Sequence, residues 1–309
     1  MLKNIFKNIR PDIGIDLGTS NTLVYIKGKG IVVNEPSVVA INTRTDEVLA
    51  IGEDAKRMIG KTPGHIITSK PLVEGVISDF EVAEQMLKYF INKFIANKIG
   101  ILSAKPRIVI SIPLDVTEVE RKAVEDAALG AGAREVFLAE EPMLAAIGAR
   151  LPVQESTGNM IVDIGGGTTQ IAVISLSGIV AWKSLRIAGD TLNKNIIQYI
   201  RENFNLLVGD ATAEKIKLSI GSVFAADQPA EMAVSGRDLI NGLPKEIVIT
   251  DSEIREAIAR SVRTIVSNIK STIESTPPEL VADIYRRGIV LSGGGALLRR
   301  GTSHRRVAP

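Results

Sequence analysis

Apolar positions along this chain alternate with polar ones at a strand period in two stretches that carry the same pattern. Ile15 to Val24 and Val162 to Ile171 each read as an apolar strand ending in an aspartate (Asp16, Asp163), a turn of glycine, threonine or serine, and a second apolar strand. Each predicts a hairpin whose small residues leave backbone N–H groups exposed. Two matched copies about half a chain apart mark an internal duplication. In a third stretch, Ile289 to Leu298, an apolar strand runs through Gly293, Gly294 and Gly295 into helix-forming residues, which predicts a strand-to-helix turn.

Between these elements the pattern switches to a helical period. Phe80, Ala83, Leu87, Phe90, Ile91 and Phe94 predict one apolar face on a helix from about Ser78 to Lys98. Thr117 with Glu120, and Thr250 with Glu253, are capping boxes that open helices to about Leu129 and Glu274. Arg107 to Ile112 and Glu135 to Leu138 read as strands, and Pro142 suits the first turn of a helix, which puts Glu140 and Glu141 at a strand-to-helix junction. Thr276-Pro277-Pro278 breaks the chain before a last helix and strand, with Ile289 to Leu291 expected as an inner strand. Strands alternating with helices over short polar connections predict a parallel-rich α/β protein.

Composition narrows the chemistry. The 309 residues are 45% hydrophobic and 23% charged, enough for two domains with sizeable cores. Cysteine is absent, which excludes disulfides, thiolate zinc sites and a cysteine nucleophile and fits a reducing cytoplasm. His65 and His304 are the only histidines, so the chemistry falls to carboxylates, hydroxyls, backbone amides and metal. The net charge of +2 comes from Arg299, Arg300, Arg305 and Arg306 near the C-terminal end; without them the 35 acidic residues slightly outnumber the bases. A nearly neutral body with 4% aromatics gives no nucleic-acid footprint. Glycine turns can cradle phosphate, and a carboxylate at each strand end can hold a hydrated Mg²⁺, so two such hairpins facing each other predict a nucleotide clamp. No Walker pattern and no Gly-x-Gly-x-x-Gly accompanies the glycines.

No apolar run is long enough to span a bilayer, and the N-terminus lacks a signal-peptide core. Residues 1–10 instead place Leu2, Ile5, Phe6 and Ile9 on one helical face, with Lys3, Lys7 and Arg10 available to the other face and flank. That pattern predicts a short amphipathic helix for an anionic membrane surface, the alternative being a frayed end or a helix packed on its own domain. The loop Lys98 to Ser103 is apolar where a surface connection should be polar; it either folds into the core or joins residues 1–10 in one membrane footprint.

Further motifs carry a resemblance. Asp16 to Thr22, Asn34-Glu35-Pro36-Ser37-Val38-Val39-Ala40, Gly130 to Val136, Glu140-Glu141-Pro142-Met143, Asp163 to Thr169, Pro277-Pro278-Glu279-Leu280 and Leu291 to Leu298 together resemble the MreB family of bacterial actin-like, rod-shape-determining proteins, within the wider actin, Hsp70 and sugar-kinase superfamily. The resemblance runs from the N-terminus to Leu298. It implies an α/β, actin-like, duplicated ribonuclease-H-like fold of two domains flanking a nucleotide cleft: 11–145, completed by 277–298, and 146–276, with residues 1–10 as the membrane helix and 299–309 as an aberrant basic tail.

The resemblance also implies roles for named residues. Thr19, Ser20, Asn21, Gly165, Gly166, Gly167 and Thr168 would hold the phosphates of ATP, Asp16 and Asp163 would position Mg²⁺, and Glu141 would position the attacking water. Glu214 and Lys217 would contact ribose or purine, and Gly293, Gly294 and Gly295 would close the nucleoside side. On pattern alone, Glu141 also reads as a helix-capping carboxylate, and Glu214 and Lys217 as a solvated helix face. The implied activity is slow Mg²⁺-dependent ATP hydrolysis coupled to polymerisation, by a cytoplasmic protein under the inner membrane that guides peptidoglycan synthesis and so cell shape. Implied partners are further copies of the chain, the anionic membrane, and the cell-wall elongation machinery (MreC, MreD, RodZ). The alternative is a small-molecule, sugar-type kinase of the same fold. Three departures stand out: Gln170 where the family carries glutamate, Ala188 where it carries glycine, and the tail after Leu298, which lacks an apolar period and reads as a truncated or frame-shifted end. The first two are expected to be tolerated.

Overall fold

The computed structural model describes residues 12–95, 105–225 and 228–298; the segment 1–10, the Lys98 to Ser103 loop and the tail 299–309 lie outside the described residues. The chain divides into two compact units, Met1–Leu144 and Ala145–Pro309.

The first unit opens with the hairpin β1 (Asp12–Leu17) and β2 (Asn21–Ile26), followed by β3 (Gly30–Pro36). A smaller part follows: β4 (Val39–Asn42), β5 (Glu47–Ile51), α1 (Glu53–Met58) and β6 (Ile66–Ser69), with the short hairpin β7 (Leu72–Val73) and β8 (Val76–Ile77). Then come α2 (Phe80–Ile95), β9 (Arg107–Ile112), α3 (Glu118–Gly130), β10 (Glu135–Glu140) and α4 (Glu141–Gly148), which carries the chain into the second unit. The main sheet has the order β10-β9-β1-β2-β3. In β1, Ile13, Ile15 and Leu17 are buried while Asp12, Gly14 and Asp16 face the other way, the alternation of a strand with one face in the core. That core includes Ile108, Ile110, Met86, Leu87, Phe90 and Ile91. Phe80 departs from its expected place in it: at the first position of α2 it is 41% exposed, one turn short of the packed stripe.

The second unit repeats the opening with β11 (Asn159–Ile164), β12 (Thr169–Ser175) and β13 (Gly178–Leu185). It continues with α5 (Gly189–Phe204), β14 (Leu206–Leu207), α6 (Asp210–Ile220), β15 (Glu231–Asp238), β16 (Pro244–Thr250), the long α7 (Asp251–Glu274), α8 (Pro278–Arg287) and β17 (Ile289–Ser292). The registers reproduce the first half: Asp16 stands opposite Leu23 and Leu17 opposite Thr22, as Asp163 stands opposite Gln170 and Ile164 opposite Thr169. The duplication extends to the parallel neighbours, Ile108-Val109-Ile110-Ser111 along β1 and Ile289-Val290-Leu291-Ser292 along β11. Both capping boxes form, at Thr117/Glu120 and Thr250/Glu253.

Four expectations are corrected. Among the described residues only the β1–β9, β9–β10 and β11–β17 pairs are parallel, because hairpins build most of each sheet. Residues 277–298 do not complete the first unit: β17 pairs with β11, and α8 buries Ile284 in a cluster with Met160 and Val162. Within the described residues β17 is an edge strand of the sheet β13-β12-β11-β17 rather than an inner one. The glycines after it open a 3-10 turn, Gly294–Leu297, and not an α-helix.

Candidate functional site

In the first unit the candidate residues gather at the carboxyl ends of three parallel strands, where open α/β sheets bind ligands. Asp16 is the next-to-last residue of β1, Ser111 lies near the end of β9, and Glu141 follows β10 as the first residue of α4. The Ser111 hydroxyl donates to Asp16 Oδ1 at 2.7 Å. Asp16 is open to water on one side yet walled by protein around it; that desolvation pushes its carboxyl pKa up, against the lowering effect of the Ser111 hydrogen bond. The loop Gly18-Thr19-Ser20 is held from behind by Ser37, which is fully buried just past β3. The Ser37 hydroxyl donates to the Gly18 carbonyl at 2.6 Å, and its N–H donates to the Ser20 carbonyl at 3.0 Å. Thr19 is buried, and its Oγ1 accepts the Gly75 N–H from the β7–β8 turn. Asn21 is exposed at the start of β2.

The second unit builds the corresponding site. Ser292 donates to Asp163 Oδ1 at 2.6 Å, the counterpart of Ser111 and Asp16. The Gly165-to-Thr168 loop closes on itself through Gly165 N–H to the Thr168 carbonyl at 2.9 Å. It is docked on the first turn of α5, where the N–H groups of Gly189 and Asp190 donate to the carbonyls of Gly165 (3.1 Å) and Gly166 (2.8 Å). A trans peptide points its C=O and the following N–H in opposite directions. The N–H groups of Gly166 and Gly167 therefore point away from α5, as those of Thr19 and Asn21 point away from Ser37.

Glu214 and Lys217 on α6 come to the same place. Lys217 is buried, its ammonium donating to the Gly189 carbonyl at 3.0 Å and to Glu214 Oε2 at 2.7 Å, and Asn193 of α5 donates to the same carboxylate oxygen at 2.6 Å. The solvated-face alternative for Lys217 is thereby excluded. Gly293 and Gly295 pack on Ile164 at the end of β11: a Cβ at either would fall inside contact distance of that residue, while one at Gly294 would meet nothing within 4 Å. Ala188 needs no glycine, since its φ of −156° is extended backbone. Gln170 is buried and donates to Ser184 Oγ at 3.0 Å.

The chain matches the sequence model of the MreB/Mbl protein family over residues 10–303. The chain belongs to the MreB/Mbl family. It is 51% identical over 303 residues to the cell shape-determining protein MreB of Escherichia coli K12, covering 97% of this chain and 87% of that one. It is likewise 51% identical over 287 residues to the cell shape-determining protein Mbl of Bacillus subtilis 168, covering 93% of this chain and 85% of the relative. Among solved structures, MreB5 of Spiroplasma citri bound to ADP superposes with a TM-score of 0.89 at 41% identity, covering 94% of this chain and 86% of that one. The MamK double helical filament shares the fold at 23% identity and a TM-score of 0.77. The fold is thus the actin-like one of the family.

Sequence reasoning missed Ser37, Ser111, Asn193 and the docking of the second loop on α5. Ser111 had a signal, the Ile-Val-Ile-Ser and Ile-Val-Leu-Ser match that extends the duplication. Ser37 lay in a quoted motif without a role, and Asn193 carried no signal beyond a helical period.

Proposed function

We propose that the chain is an actin-like ATPase that assembles with further copies of itself into cytoskeletal filaments at the inner face of the cell membrane, where they guide peptidoglycan synthesis and set cell shape. The observation that carries this reading is the duplicated hairpin, in which each loop has its carbonyls turned inward and its next N–H groups turned out beside a serine-held aspartate. Outward N–H groups fit the oxygens of a polyphosphate. Two carboxylates with hard oxygen donors fit Mg²⁺, which keeps several waters and takes one or two carboxylates plus substrate phosphates. Relatives named as cell shape-determining, and one solved with ADP, support the same reading. Membership in the MreB/Mbl family favours it over a small-molecule kinase.

In this reading Thr19, Ser20, Asn21 and Gly165 to Thr168 hold the phosphates, and Asp16 and Asp163 would hold Mg²⁺, which would supply charge neutralisation. Glu141, the first residue of α4 after the end of β10, orients the attacking water. Phosphoryl transfer needs such positioning more than covalent chemistry. Glu214 and Lys217, pre-set by Asn193 and Gly189, and the strap Gly293 to Gly295 serve the nucleoside. Residues 1–10, through Leu2, Ile5, Phe6 and Ile9, hold filaments to anionic lipid, and MreC, MreD and RodZ are the proposed partners. Among the described residues no helix is long and apolar enough to cross a membrane. Calorimetric titration of ATP with Mg²⁺ into the chain and its Asp163→Ala variant tests the site: binding by the parent and loss of its Mg²⁺ dependence in the variant are expected. Equal Mg²⁺-dependent binding by both would refute it.

A further inference from the structure

Ser37 is 0% exposed and cannot touch a ligand, yet it makes contacts that set the shape of the first loop from behind. Its hydroxyl has one proton, and that proton goes to the Gly18 carbonyl. The 2.9 Å contact between Thr22 Oγ1 and Ser37 Oγ must therefore run from Thr22 as donor to Ser37 as acceptor. Thr22 is also fully buried. The result is a chain of hydroxyls, Thr22 to Ser37 to Gly18, with a second tie from the Ser37 N–H to Ser20. The two pinned carbonyls flank Thr19, so one buried serine fixes the direction of the N–H groups of both Thr19 and Asn21.

We propose that Ser37, with Thr22 as its donor, is a positioning residue for a polyphosphate at the first loop; this rests on the reading that the loop binds phosphate. The second half reaches the same end by a different route. There the main chain of α5 pins Gly165 and Gly166, and Thr169, the counterpart of Thr22, donates to the Ile187 carbonyl at 2.7 Å. In each half the threonine after the loop latches onto the segment leaving the third strand. Only the first half holds a loop carbonyl, that of Gly18, by a side-chain hydroxyl, so only there does a side-chain change release one. Glu35, two residues before Ser37, is tied to Lys93 of α2 and lies over Gly52, which anchors the segment that presents the serine.

The test uses the full chain and displacement of a fluorescent ATP analogue by ATP, ADP or adenosine, with thermal melts alongside. Ser37→Ala leaves the buried Gly18 carbonyl without its side-chain donor, and Thr22→Val removes the donor that orients the Ser37 hydroxyl, so each should weaken ATP and ADP binding by about tenfold or more. Thr22→Ser, which keeps the hydroxyl, should bind like the parent, and adenosine should be bound equally by all. A purely structural role would lower the melting temperature while leaving the ATP-to-adenosine ratio unchanged, and that result overturns the proposal. If Ser37→Ala fails to fold, the contrast between Thr22→Val and Thr22→Ser decides: equal ATP affinity overturns it. A parent chain that binds no ATP overturns the underlying reading, whereas a binding parent with unaffected variants overturns this proposal alone.

Discussion

Alanine substituted in turn at Gly293, Gly294 and Gly295 should give sharply different proteins, although sequence alone makes the three glycines equivalent. Gly293 has φ +79° and ψ 167°, a region open essentially to glycine, and holding alanine there costs about 1–3 kcal/mol. Its Cβ would also drive into the backbone of Ile164 at the end of β11, which cannot yield as a flexible side chain can. Overpacking of that kind adds about 1–3 kcal/mol. The sum, roughly 2–6 kcal/mol, is a large share of the 5–15 kcal/mol typical of a domain. At Gly295 the clash is with the Ile164 side chain, whose Cβ lies 2.8 Å from the built atom, so only the overpacking cost of about 1–3 kcal/mol applies. Gly294 has open space, and alanine there should stay within about 0.5 kcal/mol of the parent. Urea unfolding followed by circular dichroism without nucleotide reads all three. Gly293→Ala as stable as the parent, or Gly294→Ala as damaged as Gly293→Ala, would refute the packing account of the strap.

Three further outcomes are expected. Glu141→Ala should bind ATP like the parent but slow phosphate release by roughly 10²–10⁴-fold, the usual loss for a positioning or proton-transfer group; release at the parent rate would leave Glu141 as a helix cap. Asp16→Asn should make the nucleotide-free chain more stable at pH 7, because a carboxyl whose folded pKa is raised contributes stability that is present below its unfolded pKa and lost as pH rises through the folded value. The gain should vanish in melts run below the ordinary carboxylate range, and a pH-independent difference would rule out the ionisation as its cause. Removing residues 1–10 should reduce co-sedimentation with anionic liposomes, since Lys3, Lys7 and Arg10 each contribute about 1 kcal/mol near such a surface and four apolar side chains supply buried area. Unchanged sedimentation would place the anchor elsewhere.

What the sequence revealed was local. The hairpins, both capping boxes and the strand-to-helix junction at Glu141 are written within a few residues, where period and capping chemistry decide the outcome. What it hid was pairing across distance. The place of Ile289 to Ser292 depends on which strand edge accepts it, and the edge of β11 does so, taking residues 277–298 into the second unit. Ser37 braces a loop that it meets only because β3 returns alongside β2. Lys217 looks like any exposed helical lysine until α5 packs beside α6 and buries it against Gly189. Phe80 and the glycine strap show the converse, where a sound local pattern met a tertiary arrangement that left the first exposed and gave two glycines a steric task.

The central claim is that a nucleotide held by the duplicated hairpins drives assembly of the chain. It is tested most directly by pelleting the purified protein in Mg²⁺ and ATP, with the Asp163→Ala variant and a nucleotide-free sample run in parallel. The account predicts that the parent pellets in bulk only with Mg²⁺ and ATP and that Asp163→Ala stays in the supernatant. A parent that pellets equally without nucleotide, or an Asp163→Ala variant that pellets like the parent, would contradict it.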